Sequence, residues 1–237
     1  MIRTLRNTRR LFAIAFILAR EDALFLLDEF NISPTASLIA RLFARRKTGK
    51  RKGERLALAL ERLGPTFIKL GQAISTRSDL IGEQVADDLA GLRDKLPPFA
   101  TAAARRIVEE ELGQPIETLF SQFEDVPIAA ASIAQVHRAV TRAGQTVAVK
   151  IVRPQIEEAF RRDIDLFFWI ADLVQARLPD YRRLKPKQVV QTFKDTVFFE
   201  LDLRFEAAAA DEMAQNVARH EPGLSIPAVH WELTSRK

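Results

Sequence analysis

The sequence predicts an α+β protein in which helices and strands occupy separate parts of the chain. Helical periodicity dominates residues 1–123, and strand-like composition follows over Ile128–Ile151. Two long helical segments follow, and then one short stretch, SIPAVHWEL, that has the composition of a further strand. Such segregation favours α+β over a doubly wound parallel sheet, in which strands and helices alternate. The 237 residues, 47% of them hydrophobic, are enough to bury at least one core.

The first region, residues 1–60, is basic and helical in pattern, with a predicted break at NISPTAS. Residues 5–31 have the pattern of an amphipathic helix that lies on a membrane or on the rest of the fold. Its apolar run LFAIAFILA is too short to span a bilayer, which requires about 20 residues. Much of the net charge of +5 lies in the first 55 residues. A solvated basic surface, an anionic membrane and a nucleic acid would each account for that charge. The membrane is favoured among the partners because no aromatics interleave with the charge run at 47–52 and no nucleic-acid motif accompanies it.

The second region, residues 61–123, is predicted to be a helical extension. ERLALALERLGPTFIKLGQAISTRSDL indicates two helices that meet at Gly64 and Pro65, and GEQVADDLAGLRDKL indicates a third. Pro97 and Pro98 predict a linker. TAAARRIVEEELG then predicts a helix with Thr101 as its N-cap and Gly113 at its end.

The third region, residues 124–237, contains the strands. VHRAV and TVAVKIV flank TRAGQ, in which Gly144 predicts a hairpin turn. The helical segment QIEEAFRRDIDLFFWIADLVQARL follows, and a second helix is predicted over residues 187–218. Cysteine is absent and the three histidines are far apart in the sequence, so neither a disulfide framework nor a thiolate or histidine-rich metal site is expected.

Lys150 closes the strand VAVK, where a lysine can reach nucleotide phosphates if a carboxylate holds it. On the strand alone, an ordinary edge-strand lysine is the favoured interpretation. Glu200, Asp202 and Glu206 are candidate carboxylates. In one continuous helix Glu200 and Glu206 would lie roughly 120° apart around the axis and could serve two cationic partners. The alternative is the charged face of an amphipathic helix.

A second lysine, Lys69, lies three positions before Gln72 on one face of a predicted helix, with Gly71 between them. A glycine inside a helix destabilises it by about 1 kcal/mol relative to alanine, which indicates a close approach to a ligand or to a neighbouring helix. The alanine-rich stretch AAASIA lies ahead of the lysine strand, where a kinase has a glycine-rich loop. Alanine restricts the positive φ and the close backbone approach that glycine gives a phosphate loop.

Together these motifs resemble the UbiB family of atypical protein-kinase-like proteins, whose members support ubiquinone (coenzyme Q) biosynthesis. The resemblance is carried by KLGQ, AAASIAQVH, VAVK and ELDLRFEAAAA, which occur in the family's order. It implies a helical KxGQ extension packed on a partial kinase-like N-lobe of antiparallel strands and an αC-type helix.

The resemblance also implies roles for individual residues. Lys150 corresponds to the lysine that meets the nucleotide phosphates, and Glu206 to the αC glutamate that pairs with it. Lys69 corresponds to the KxGQ lysine that pairs with Glu200, the first acid of the ExD motif. Gln72 completes the KxGQ motif, and Asp202 is the second acid of the ExD motif. The loop in the place of the glycine-rich loop consists of Ala129, Ala130, Ala131, Ser132, Ile133 and Ala134.

Neither a D-F-G nor an H-R-D-like motif occurs in the sequence. The chain is therefore expected to be an N-terminal portion of such a protein, without catalytic or metal-binding residues of its own and inactive alone. In the complete protein the expected cofactor is ATP or ADP with Mg²⁺. The expected location is peripheral, on the cytoplasmic face of the bacterial inner membrane, with ubiquinone-pathway lipids or proteins as partners. The alternatives are a non-catalytic membrane- or partner-binding module and, on charge alone, a nucleic-acid binder, which is not expected.

Overall fold

The computed structural model describes residues 2–25, 49–92, 96–220 and 223–237. The α+β prediction is confirmed, because long helices accompany one small antiparallel sheet. The described α-helices are α1 (Ile2–Arg20), α2 (Lys52–Leu63), α3 (Pro65–Ser75), α4 (Ser78–Ile81), α5 (Glu83–Ala90), α6 (Thr101–Leu112), α7 (Ile116–Leu119), α8 (Ile156–Arg177), α9 (Pro186–Glu200) and α10 (Leu203–His220). The strands are β1 (Phe120–Phe123), β2 (Ala129–Ala130), β3 (Ala134–Thr141) and β4 (Thr146–Val152), and short 3-10 helices cover Pro179–Leu184 and Trp231–Leu233.

The first of two compact units consists of Met1–Asp94 and Glu158–Gln191. Its core is one cluster of apolar side chains from α1, α2, α3, α5 and α8, and each fully buried Leu or Phe in it contributes about 2 kcal/mol. Within the cluster, Phe67 of α3 contacts Phe167 of α8 edge to face, with ring centroids 5.5 Å apart. The buried members include Ile14, Leu56, Leu60, Leu63, Phe67, Leu89, Leu92 and Leu166.

The second unit consists of Lys95–Glu157 and Thr192–Lys237, and its centre is the sheet. Strand β3 pairs with β4 on one edge and with β1 and β2 on the other, and all these pairs are antiparallel. The register places Val136 opposite Lys150 and Gln135 opposite Ile151. Because side chains alternate along a strand, Lys150 and Ile151 point to opposite faces of the sheet. Ile151 belongs to a buried cluster with α6, α7 and β1, so Lys150 faces away from this core.

The β3–β4 turn follows the predicted hairpin. Gly144 has φ +83, a value that an L-residue rarely adopts, and its N–H donates to Thr141 O. Helix α6 also ends at a glycine, because Gly113 adopts the left-handed conformation with φ +69. Thr101, in contrast, is not the N-cap of α6: it is the first helical residue, and its hydroxyl donates to Asp125 O at 2.7 Å. That prediction is therefore wrong by one residue.

Two predictions of elements near the end of the chain are wrong. The single helix over 187–218 is two helices, because α9 ends at Glu200 and α10 begins at Leu203. The stretch SIPAVHWEL forms no strand: residues 224–230 are irregular and a 3-10 helix follows, in which Leu233 N–H donates to His230 O. A strand needs a partner edge, and within the described sheet the segment pairs with none.

The amphipathic helix predicted over 5–31 is shorter in the structure. Helix α1 ends at Arg20, and Asp22, two residues later, has φ +55. Residues 26–31 and the predicted break at NISPTAS lie outside the described residues. The division into regions 1–60, 61–123 and 124–237 stays a prediction. The compact units have other limits, because Glu158–Gln191 groups with the N-terminal helices.

Candidate functional site

Lys150 lies near the end of β4, and its ammonium group binds the carboxylate of Glu206 on α10. The Nζ atom is 2.6 Å from Oε1 and 2.5 Å from Oε2. The side chains are 35% and 58% exposed, so the pair is open to solvent. The structure thus brings together the two residues that the resemblance pairs. A lysine held by a two-point carboxylate contact beside an open surface is suited to bind an anionic group.

Glu206 owes its position to the start of α10, which Asp202 determines. The Arg204 N–H donates to Asp202 Oδ1 at 3.2 Å, as in a helix N-cap, and the Arg204 guanidinium donates to Oδ2 at 2.7 Å. These hydrogen bonds hold the pKa of Asp202 below its ordinary value. Phe205 stacks on Phe199 of α9 with centroids 4.3 Å apart, across the break between the two helices. Glu206 is therefore held in the first turn of a capped helix.

The break between α9 and α10 means that Glu200 and Glu206 do not lie on one continuous helix. Glu200 is the last residue of α9, whereas Asp202 precedes α10 and Glu206 lies within it. The angle of 120° between Glu200 and Glu206 assumed one straight helix and does not apply. The pairing of Glu206 on α10 with Lys150 on β4 does not depend on that angle.

Residues 129–134 form a tight hairpin between β2 and β3, here called the Ala-rich hairpin. Ala131 N–H donates to Ala134 O at 2.7 Å, so Ser132 and Ile133 form the tip. Both are buried, with 0% and 8% exposure, and neither has a positive φ. The buried Ser132 hydroxyl has no hydrogen-bond partner among the residues that the structure describes. In a glycine-rich phosphate loop, by contrast, the backbone lies open to the ligand.

The Ala-rich hairpin and Lys150 are in register across the sheet. Ala129 is opposite Val136, and Val136 is opposite Lys150. With strands about 4.8 Å apart, Ala129 and Lys150 therefore lie about 10 Å apart and point to the same face. This spacing is compatible with one ligand that contacts both the hairpin and the lysine.

Lys69 and Gln72 lie on α3 in the first unit, and both are partly buried. Gly71 between them is buried in packing: a Cβ there would clash with Leu92 and would lie 2.7 Å from Leu60 Cδ1. The glycine of this motif is thus explained by contact with a neighbouring helix. The pairing of Lys69 with Glu200, which lies in the second unit, stays a prediction.

Sequence reasoning missed three polar residues of the second unit, Gln135, His137 and Arg153. Gln135 and His137 are fully buried. Phe99 N–H donates to Gln135 Oε1 at 3.0 Å, so the Gln135 amide nitrogen faces His137 and donates to its Nε2 at 2.8 Å. His137 Nδ1–H then donates to Glu124 O at 2.8 Å. A usable signal was the pair of polar residues at alternate positions of a predicted strand, which places both on one face of the sheet, since buried polar groups require partners.

The described residues contain no group of three or more His, Cys, Asp or Glu placed to hold a metal ion. None of their helices combines the length and the hydropathy that a membrane span requires.

Comparison with known proteins agrees with the resemblance that the sequence motifs indicate. The ABC1 atypical kinase-like domain matches residues 91–237. Proteins named "Probable protein kinase UbiB" are 44% identical over 197 residues in Pseudomonas aeruginosa and 40% identical over 237 residues in Marinobacter nauticus. These alignments cover 83% and 96% of this chain but 37% and 42% of the relatives, so the chain spans about two fifths of their length.

A solved structure described as the complex of Rv3197 with erythromycin from Mycobacterium tuberculosis is also similar. It superposes with a TM-score of 0.50 at 26% identity and covers 91% of this chain and 49% of that one. The domain match spans more than half of the chain and includes β2–β4, α10 and the Lys150–Glu206 pair. On this evidence the chain belongs to the UbiB family of ABC1 atypical kinase-like proteins.

Proposed function

We propose that this chain provides the N-lobe side of a nucleotide site in an atypical kinase or ATPase that supports ubiquinone biosynthesis. The ion pair between Lys150 and Glu206 is the observation that carries the proposal. Glu206 fixes the ammonium group on the open face of the sheet, in register with the Ala-rich hairpin. Bound there with Mg²⁺, ATP would supply its terminal phosphoryl group, and ADP would be the nucleotide that remains.

In the proposed site Lys150 neutralises phosphate charge, and Glu206 keeps the lysine extended when no nucleotide is bound. The Ala-rich hairpin covers the phosphates with a stiffer backbone than a glycine loop provides. The family's motifs assign Lys69, Gln72 and Glu200 to nucleotide binding as well, and Asp202 positions α10. Lys69→Ala is then expected to change nucleotide selectivity while the protein remains folded.

The test measures binding of a fluorescent ATP analogue to the full chain. Lys150→Met is expected to weaken binding about tenfold or more, because it removes a charge-assisted contact to phosphate. Lys187→Met is the matched control, since Lys187 forms an equally short exposed pair, 2.6 Å from Asp172, in the first unit. Equal affinity of the Lys150 variant and the wild type would refute the assigned role.

A second candidate function is membrane or partner binding through α1. Leu5, Phe12 and Phe16 are 66%, 71% and 50% exposed and recur at helical spacing on one side of the helix. Asn7 and Ile14, on the opposite side, are buried. An apolar stripe on a basic helix is suited to lie in the interface of an anionic membrane. The proposed location is therefore peripheral, on the cytoplasmic face of the bacterial inner membrane.

Co-sedimentation with vesicles tests this candidate. Leu5→Ser/Phe12→Ser is expected to reduce binding to anionic vesicles about tenfold, because each substitution removes apolar area that the membrane would bury. Leu80→Ser/Val126→Ser is the control, since both side chains are at least half exposed and lie outside α1. Equal binding by the two double variants would exclude α1 as the contact surface.

A further inference from the structure

The segment Leu96–Phe99, here called the connector, is attached to the sheet by side chains instead of by a strand ladder. It has no regular secondary structure. The Phe99 N–H donates to Gln135 Oε1 at 3.0 Å, and Gln135 Nε2 donates to Phe99 O at 3.4 Å. Both backbone groups of Phe99 are thus bound by one amide, which imitates a strand neighbour.

Arg153 makes a second attachment to the connector. One of its guanidinium NH₂ groups donates to Leu96 O at 3.4 Å, and the guanidinium lies over the Phe99 ring, 5.7 Å from its centroid. Arg153 follows β4 directly and is three positions after Lys150. The arginine therefore links the end of the lysine strand to the connector.

Arg153 also binds the tip of the Ala-rich hairpin. Its Nε donates to Ala131 O and its backbone N–H to Ile133 O, both at 2.9 Å. In a trans peptide unit the C=O and the following N–H point in opposite directions. Because these carbonyls point toward Arg153, the N–H groups of Ser132 and Ala134 point away from it. The arginine thus orients two peptide planes of the hairpin.

Gln135 is linked to the Ala-rich hairpin through the backbone of β3. It lies on β3, one residue after Ala134, and is held from behind by His137, which stacks on Phe123 with centroids 4.9 Å apart. Because Gln135 is opposite Ile151, its side chain is on the core face of the sheet. Lys150 is on the other face, so Gln135 and its partners act without touching the proposed nucleotide.

We propose that Arg153 and Gln135 form a clamp that couples the conformation of the Ala-rich hairpin to the connector. They are positioning residues: they fix the peptide planes over the nucleotide from the rear of the sheet. The connector begins four positions after Leu92, a core residue of the unit that carries Lys69 and Gln72. The clamp therefore lies on the direct chain route from the KxGQ helices to the hairpin. Its effect on nucleotide affinity rests on the proposed function, whereas its effect on hairpin dynamics does not.

Hydrogen exchange of the full chain without nucleotide tests the clamp. Arg153→Met keeps the aliphatic stem and the backbone donor but removes the guanidinium. Exchange is expected to rise about tenfold in residues 129–134 and at Phe99, and to stay unchanged in α6. Arg138→Met is the control, because Arg138 binds only the exposed carboxylate of Glu124 among the contacts described for it. Unchanged exchange in the hairpin would overturn the proposal.

A reciprocal variant tests the coupling itself. Gln135→Met removes the bonds to the connector while approximately conserving volume. If the two sites are coupled, exchange at the hairpin tip also rises, and the effects of Gln135→Met and Arg153→Met are not additive. Strictly additive effects, each confined to its own contact, would contradict a clamp.

Nucleotide affinity separates the two proposals. In Arg153→Met, affinity for the fluorescent ATP analogue is expected to fall about three- to tenfold, with Lys150 intact. If the wild type binds no nucleotide, the proposed function fails, while the exchange result still decides the clamp. If the wild type binds nucleotide and Arg153→Met loosens the hairpin without changing affinity, the clamp has no role in binding and that part of the inference fails.

Discussion

Asp202 determines where α10 begins and thereby where Glu206 meets Lys150. Its carboxylate accepts hydrogen bonds from the backbone and the guanidinium of Arg204, and its side chain is only 12% exposed. In the ExD motif, Asp202 therefore has the hydrogen bonds of a helix N-cap. A substitution at Asp202 can therefore impair the proposed site without removing any group that touches nucleotide.

Asp202→Ala is expected to destabilise α10 by about 1 kcal/mol, the usual effect of losing a cap. Asp202→Asn keeps a capping oxygen and removes only the charge. Because the folded pKa of Asp202 lies below the ordinary 3.8, the charge stabilises the fold above that pH and ceases to do so as the pH falls through the folded value.

The difference in thermal midpoint between wild type and Asp202→Asn should therefore be largest near neutral pH and vanish in acid. Melting curves from about pH 7 down to about pH 2 measure it. A difference that is constant across this range would show that the charge of Asp202 contributes nothing to stability.

Single residues also show what the sequence can and cannot predict. The pairing of Lys150 with Glu206 was accessible because family motifs identify both residues, and the structure places them in contact. The packing of Gly71 against Leu60 and Leu92 was one of two open interpretations, since a glycine does not reveal what it approaches. The positions of Gln135 and Arg153 as partners of the connector depend on contacts 36 and 57 residues apart, which no local pattern encodes.

At the scale of elements, α1 combines an exposed apolar stripe with a face that is fixed to α8. Arg10 Nε is 2.9 Å from Asp163 Oδ1, and its NH₂ group is 3.1 Å from Oδ2. Asp163 is almost fully buried, with 3% of its side chain exposed. Arg3 and Arg6 of α1 also bind Asp165. Because these basic residues are engaged within the protein, α1 would have to contact a membrane while it remains docked.

Arg10→Met is expected to destabilise the first unit by about 3 kcal/mol, because among the described residues it leaves the buried Asp163 carboxylate with only the longer contact from Arg162. Arg3→Met, which breaks a more exposed contact to Asp165, should cost less than about 1 kcal/mol. Urea unfolding measures both. Arg10→Met/Asp163→Leu should recover most of the loss, and a failure to recover would mean that the ion pair is not the cause.

Elements were predictable where local signals agree. The β3–β4 hairpin follows from alternation around a turn glycine, and α3 from a proline at its first position. The break after Glu200 was missed because apolar residues keep a helix-like spacing through it, and one capping carboxylate overrides that pattern. The segment at 224–230 has the composition of a strand but lacks a partner edge, which is a property of the fold and not of the segment.

At the scale of the whole molecule, the chain passes between the two units more than once. Glu158–Gln191 returns to the N-terminal helices, and Thr192–Lys237 returns to the sheet. A reading along the chain divides it at changes of composition and cannot detect such a return. The return is set by packing, because Leu166 and Phe167 of α8 join the core of α2 and α3.

Each unit has its own apolar cluster, and this predicts separable responses to core substitutions. Leu89→Ala, at a site 1% exposed, removes packing from the first cluster, and Ile151→Ala, at 0%, removes it from the second. Each is expected to cost about 2–5 kcal/mol. Leu89→Ala should accelerate hydrogen exchange in α2, α3 and α5 while α6 and the sheet keep their protection, and Ile151→Ala should do the reverse. Surface variants such as Leu80→Ser serve as the baseline. If either core variant raises exchange equally throughout the chain, the two clusters unfold as one cooperative unit and the division has no energetic meaning.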